Sequence, residues 1–236
     1  YEISLGLVGS EMCIRDSDTL WAFSLNARDT YEEMYWKYGY DRYFDSFEHY
    51  YSLYQRRNLD LWAEYADGKV TKEELNRQRY LYPLEAVGAG DSTLAKAYER
   101  DALTMIPTKS KLMPHAREVL EYLSGKYNLY ILSNGFKELQ SHKMRSSGID
   151  EYFKKVVLSD DIGILKPWPE IFHFALSTTQ SELNNSLMIG DSWENDIVGA
   201  AGVGMHQVFY NLSGRTDLPF APTYQITDLK DLFNFL

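Results

Sequence analysis

From Pro107 onward, short apolar runs alternate with helical stretches, and this alternation limits the possible folds more than any other feature of the chain. Tyr127–Leu132, Lys155–Leu158, Leu187–Ile189 and His206–Tyr210 read as strands, with a further short strand near Tyr224–Ile226. Between and after them, Pro114–Leu123, Phe136–Ser147 (closed by Gly148), Pro169–Ser177, Asp196–Ala201 and Leu229–Leu236 read as helices. Such a rhythm signals a parallel sheet, because parallel neighbours need long crossovers and helices supply them. The expected class is α/β: a Rossmann-like, doubly wound parallel sheet.

The stretch Trp21–Met105 has a different texture. Tyr31, Tyr35, Trp36, Tyr38, Tyr50, Tyr51, Tyr54, Trp62 and Tyr65 are spread at spacings of three or four, which predicts helices packing on one another. Thr71 and Glu74 stand at capping-box spacing, so a helix should begin there, and Gly88–Asp91 should interrupt the run. The expected organisation is a first-strand region over 1–20, a helical cap over 21–105 and the α/β core over 106–236. An insertion directly after the first strand is expected above the carboxyl ends of the strands, where doubly wound folds bind ligands, and there it can act as a lid.

Charge narrows the partners. A formal net charge of −10 with no Lys/Arg run argues against nucleic acid and acidic membrane surfaces. A small anion is still compatible, since backbone amides, one lysine and a metal can outweigh the net charge locally. The lone Cys13 cannot form an internal disulfide, which points to a reducing cytoplasm. No apolar stretch approaches the ~20 residues of a membrane span. Ile3–Val8 is too short, and lacks the basic start, for a secretory signal. His49, His115, His142, His173 and His206 show no metal-binding spacing, and no feature of the sequence sets an oligomeric state.

Three strand ends carry polar residues. Ile131-Leu132-Ser133-Asn134-Gly135 passes from a buried strand to a helix, a turn that suits a phosphate oxygen and equally suits ordinary helix capping. Lys166, in Leu165-Lys166-Pro167-Trp168-Pro169, is held by prolines that restrict the backbone around it; its alternative is a solvated surface lysine. Leu187-Met188-Ile189-Gly190-Asp191 ends a strand on a carboxylate, and Asp196 follows five residues later. A pair of this kind could ligate Mg²⁺, or could simply cap a turn and start a helix.

In this order, the three segments resemble motifs two, three and four of the haloacid dehalogenase superfamily, and the resemblance runs from Asp18 to the C-terminus. The SNGF, LKPWPEIF and GDSWENDI segments, with the helical insertion, resemble its pyrimidine-directed 5′-nucleotidase branch. The resemblance implies a Mg²⁺-dependent phosphatase acting on small phosphorylated metabolites, nucleoside monophosphates first among them. By the same resemblance Ser133, Asn134 and Lys166 would bind phosphate, Lys166 would also steady the nucleophile, and Asp191 and Asp196 would serve the metal. The family's first motif, Asp-x-Asp-x-Thr, supplies a nucleophile that forms an aspartyl-phosphate and an acid/base that protonates the leaving oxygen and activates water.

Here the sequence departs from the pattern. Asp18-Thr19-Leu20-Trp21 matches the end of Asp-x-Asp-Asp-Thr-Leu-Trp, which puts Arg15 at the nucleophile and Ser17 at the acid/base. Arg15 is a permanent cation, and Ser17 cannot shuttle a proton near neutral pH. A second register takes Asp16 and Asp18 as the carboxylate pair. It needs a one-residue slip that turns every strand side chain to the other face. The first register is preferred, and it predicts that the chain as written is inactive. The SLGLVGSEMCIRDS portion of Tyr1–Ser17 resembles a translated adaptor or assembly artefact, so that segment is read as non-native. Two other readings stand beside the phosphatase: a 2-haloacid dehalogenase, disfavoured by Asp191 and Asp196, and a non-catalytic ligand-binding protein that has lost its nucleophile.

Overall fold

A computed structural model of the chain describes residues 11–236, so the Ile3–Val8 run and the start of the Tyr1–Ser17 segment lie outside the described residues. The chain divides into two compact units, one built from the residues up to Phe23 together with Ser110–Leu236, the other from Ser24–Lys109.

The first unit is built on a six-stranded sheet: β1 (Glu11–Ile14), β2 (Asn128–Ser133), β3 (Phe153–Leu158), β4 (Ser186–Gly190), β5 (His206–Tyr210) and β6 (Tyr224–Ile226). Every pairing is parallel, and the order is β3-β2-β1-β4-β5-β6. Strand β1 has only four residues, yet it is central. Ile14 pairs with Ile131 on one side and with Ile189 on the other. Its neighbours bury both faces, and the two-residue period of a strand divides the side chains between them. Met12 and Ile14 join the core containing Leu120, Leu129 and Ile131. Cys13 joins the opposite core with Tyr130, Leu132, Ile171 and Met188. Burial pushes the Cys13 thiol up to about 12, leaving it an inert apolar filler.

Helices cover both faces. In α5 (Ala116–Ser124), Ala116, Val119, Leu120 and Leu123 form a buried stripe at helical spacing, and Ile171, Phe172, Ala175 and Leu176 do the same in α7 (Pro169–Thr179). The two stripes belong to different cores, so the sheet is covered on both sides. Chain order reverses at β1, the first strand passing to β2 and β3 on one side while β4 returns beside it on the other. Doubly wound sheets open a ligand crevice at such a switch point, at the strands' carboxyl ends.

The segment expected to be a helix from Asp196 begins earlier and in a wider form. A π-helical turn over Trp193–Val198 precedes one turn of α-helix, Gly199–Gly202. The Ser192 hydroxyl caps it by accepting from the Asn195 amide at 3.3 Å. The expected terminal helix is a 3₁₀ segment, Leu229–Asn234.

The second unit contains most of α1 (Phe23–Lys37) and all of α2 (Phe47–Ala66), α3 (Lys72–Ala86) and α4 (Ser92–Met105). At Thr71 the capping box is complete: the Glu74 amide donates to the Thr71 hydroxyl at 3.2 Å, and the Thr71 amide to the Glu74 carboxylate at 2.9 Å. The core is aromatic. Tyr31, Tyr40, Tyr50, Tyr80 and Tyr98 are fully buried. The Tyr31 and Tyr54 hydroxyls meet at 2.6 Å, and the Tyr98 hydroxyl donates to the Tyr31 carbonyl at 2.9 Å. Such phenols contribute large apolar faces while still needing partners for their hydroxyls. Among the described residues no helix is long and apolar enough to cross a membrane.

Candidate active site

Arg15 continues the β1 ladder, its amide donating to the Ile189 carbonyl at 2.9 Å. That backbone position aims its side chain at the end of β4. Arg15 Nε lies 3.3 Å from Asp191 Oδ1, and Nη1 lies 3.3 Å from Asp196 Oδ2. Burial alone would lower the affinity of this guanidinium for its proton, but the carboxylates of Asp196 and Asp191 outweigh it and hold the group above its ordinary range.

Asp196 is wholly buried and fully engaged. Its Oδ1 accepts from Lys166 Nζ at 2.6 Å, and its Oδ2 from the Ser192 amide at 3.0 Å as well as from Arg15. Burial pushes its carboxyl up, yet Lys166 first and Arg15 next reverse that, so it lies below the usual range. Asp191 shifts the other way: burial raises it and the charge of Asp196 adds to the rise, partly countered by Arg15 and by the Thr19 hydroxyl, which donates to its Oδ1 at 2.7 Å. Gly190 must lack a side chain, because a Cβ there would run into the Asp196 carboxylate.

Lys166 is 3% exposed, and its ammonium also donates to the Leu132 carbonyl at 2.7 Å. The lysine is thus fixed between β2 and the loop after β4, which excludes the solvated alternative. Asn134 is what sets the backbone there. Its Nδ2 donates to the Lys166 carbonyl at 3.0 Å and its Oδ1 accepts from the Lys166 amide at 2.8 Å. The Asn134 side chain is thus a clamp on the Lys166 backbone. Ser133, 4% exposed at the end of β2, accepts from the Gly135 amide at 3.0 Å, the capping arrangement, and its hydroxyl also interacts with Asp16.

Asp16 of the alternative register borders this cluster and pairs with a different lysine. Asp16 is fully buried, and its Oδ2 accepts from Lys143 Nζ and, at 3.0 Å, from the Ser17 hydroxyl. The reason is the strand period: Arg15 turns to Asp191 and Asp196, so the next residue turns away. Burial acts to raise the Asp16 carboxyl, but Lys143, with help from Ser133 and Gln140, holds it well below the usual range. Asp18 occupies a left-handed turn (φ 56°), a conformation Asp tolerates better than most residues, and its amide donates to the Trp21 carbonyl at 2.8 Å. Its charge contributes to the rise at Asp191.

Lys143 is a residue the sequence reading missed. It lies on α6 (Lys137–Ser146), whose buried residues are Gln140, Lys143 and Met144, with its ammonium 5.0 Å from the centroid of the Trp21 ring. A lysine on the buried stripe of a helix was the available signal.

These donors do not fit a Mg²⁺ ion as they stand. Three of the four oxygens of Asp191 and Asp196 already accept from Arg15, Lys166, Thr19 or the Ser192 amide. Position 15 adds a cation where an octahedral ion would want another oxygen. Among the described residues no group of three or more His, Cys, Asp or Glu side chains is placed to hold a metal.

Carboxylates, a buried lysine and a hydroxyl gathered at the carboxyl ends of a doubly wound parallel sheet define the class, an α/β scaffold of the enzyme type. The chain belongs to the haloacid dehalogenase-like hydrolases, which match residues 17–204. That match begins at Ser17, so Arg15 and Asp16 lie outside it. The Escherichia coli pyrimidine 5′-nucleotidase YjjG is 30% identical over 185 residues, 78% of this chain and 80% of that protein. The Bacillus subtilis protein YfnB is 29% identical over 187 residues, 78% of each chain. A crystal structure of YfnB bound to magnesium superposes with a TM-score of 0.84, covering 97% of this chain and 98% of that one at 24% identity. The L-2-haloacid dehalogenase of Xanthobacter autotrophicus has the same fold, with a TM-score of 0.71 at 18% identity over 95% of this chain and 96% of that one.

Proposed function

We propose that this chain is the scaffold of a phosphomonoester hydrolase acting on small phosphorylated metabolites, nucleoside monophosphates first, and that with Arg15 and Ser17 in place it does not turn over. The reading rests on one observation: Lys166, Asp191 and Asp196 converge with Arg15 at the end of β1, and Ser133 ends the adjacent β2. That is the place of a nucleophilic carboxylate in the resemblance, and a guanidinium there cannot attack phosphorus. The 30% identity to a pyrimidine 5′-nucleotidase favours nucleotides as the substrate class.

In this reading Ser133 and Lys166 orient the phosphate, Asn134 acts through its hold on the Lys166 backbone, and the helical unit Ser24–Lys109 serves as the cap. The unpaired, buried Cys13 suits a reducing cytoplasm. Asp191 and Asp196 become available to a divalent ion once position 15 is a carboxylate, so the repaired chain is the one to assay with Mg²⁺. The test is phosphate release from uridine and thymidine monophosphates by the chain as written and by the double variant Arg15→Asp, Ser17→Asp. The parent should stay at background and the double variant should release phosphate. Turnover by the parent would refute the assignment of position 15. Halide release from 2-chloropropionate by the variant, without phosphate release, would move the chain to the dehalogenase reading.

A further inference from the structure

Arg15 has no place in the proposed chemistry, yet it is the cation that contacts both Asp191 and Asp196. Its side chain is 25% exposed, its amide is tied to β4, and its guanidinium reaches both carboxylates at 3.3 Å. Two carboxylates held this close in a buried pocket repel, and the arrangement persists only with positive charge between them. Lys166 covers one side of Asp196 and leaves Asp191 untouched. The group that spans both is Arg15.

We propose that Arg15, although its segment is read as non-native, acts in this chain as a counter-cation in place of a divalent ion, so that the chain as written folds with its carboxylate pair already neutralised and does not bind Mg²⁺ there. The charge count supports the exchange. A carboxylate at position 15 contributes −1 and a guanidinium +1, and that change of two equals the charge of the metal it makes unnecessary. At the pair itself Arg15 and Lys166 face Asp191 and Asp196, two charges against two. A planar guanidinium can bridge two separate carboxylates, whereas an ammonium is a single compact charge. Being tethered beside its partners it competes intramolecularly, so a free ion must first displace it. The inference stands on ion-pair geometry and is read by metal binding, so it holds or fails independently of phosphate release by the repaired chain.

The experiment is calorimetric titration of the full chain with Mg²⁺, and paramagnetic titration with Mn²⁺ as its stand-in, alongside Arg15→Asp and Arg15→Ala. The parent should show no binding at the site and no change of melting temperature with Mg²⁺. Arg15→Asp should bind at least about 100-fold more tightly, because leaving a buried carboxylate uncompensated shifts equilibria by that order or more. Arg15→Ala should melt lower than the parent without metal and be restored by Mg²⁺, a rescue that the further change Asp191→Asn removes. Should Arg15→Ala fail to fold, the parent titration decides alone. Binding by the parent that Asp191→Asn abolishes, or equal affinity of the parent and Arg15→Asp, would overturn the inference.

Discussion

Replacing Lys143 with Met isolates the buried ion pair beside the candidate site. Asp16 is wholly buried and the Lys143 side chain is 8% exposed. Losing one partner of such a pair leaves an uncompensated charge and costs about 3–5 kcal/mol, whereas an exposed pair is worth about 0–1 kcal/mol. Methionine keeps much of the aliphatic stem, so the loss is mainly of charge. Urea unfolding followed by circular dichroism near pH 7 should show a loss of about 3–5 kcal/mol. The pH dependence gives an independent sign. In the parent, Lys143 holds the folded-state Asp16 carboxyl below its ordinary value of 3.8, so its stabilisation is present above about pH 4 and lost as pH falls. In Lys143→Met burial dominates and raises that carboxyl, so the variant loses stability as pH rises through the ordinary carboxylate range. The difference between the two proteins should therefore be largest near pH 7, smaller near pH 4 and smallest below it, and adding Asp16→Asn should recover most of the loss. A cost below about 1 kcal/mol near pH 7, or one that does not shrink toward pH 4, would refute the buried-pair argument.

Two further substitutions probe how the site is positioned. Gly190→Ala places a Cβ against the Asp196 carboxylate and should cost about 1–3 kcal/mol of stability, measured by denaturant midpoint; an unchanged midpoint would show that the carboxylate can move aside. Asn134→Ala removes both hydrogen bonds to the Lys166 backbone and should cost about 1–3 kcal/mol, with faster hydrogen exchange at the Lys166 amide as its specific signature.

Several strands and their polar ends were readable before any coordinates. Leu129–Leu132 and Leu187–Ile189 are central parallel strands buried on both faces, and such strands must be continuously apolar, so they announce themselves. Ser133 and Asp191 were noticed because they lie at the ends of these runs and Asp196 because it follows Asp191 by five residues, whereas Lys166 stood out by the prolines beside it. Strand β1 was harder to see, being four residues long, and its position in the sheet follows from pairing on both sides rather than from its own composition. The Asp16–Lys143 pair could not be read at all: the partners lie 127 positions apart, and each alone looks like a surface residue.

Local patterning determined which segments of this chain become strands and helices, because the period and continuity of apolar residues depend only on neighbours along the chain. It also determined that position 15 offers no carboxylate. What Arg15 does instead was decided by the tertiary structure. Which of two successive strand residues faces Asp191 and Asp196 depends on the register of β1 against β4, and that register pairs residues 175 positions apart, such as Glu11 with Ser186, which no local pattern records.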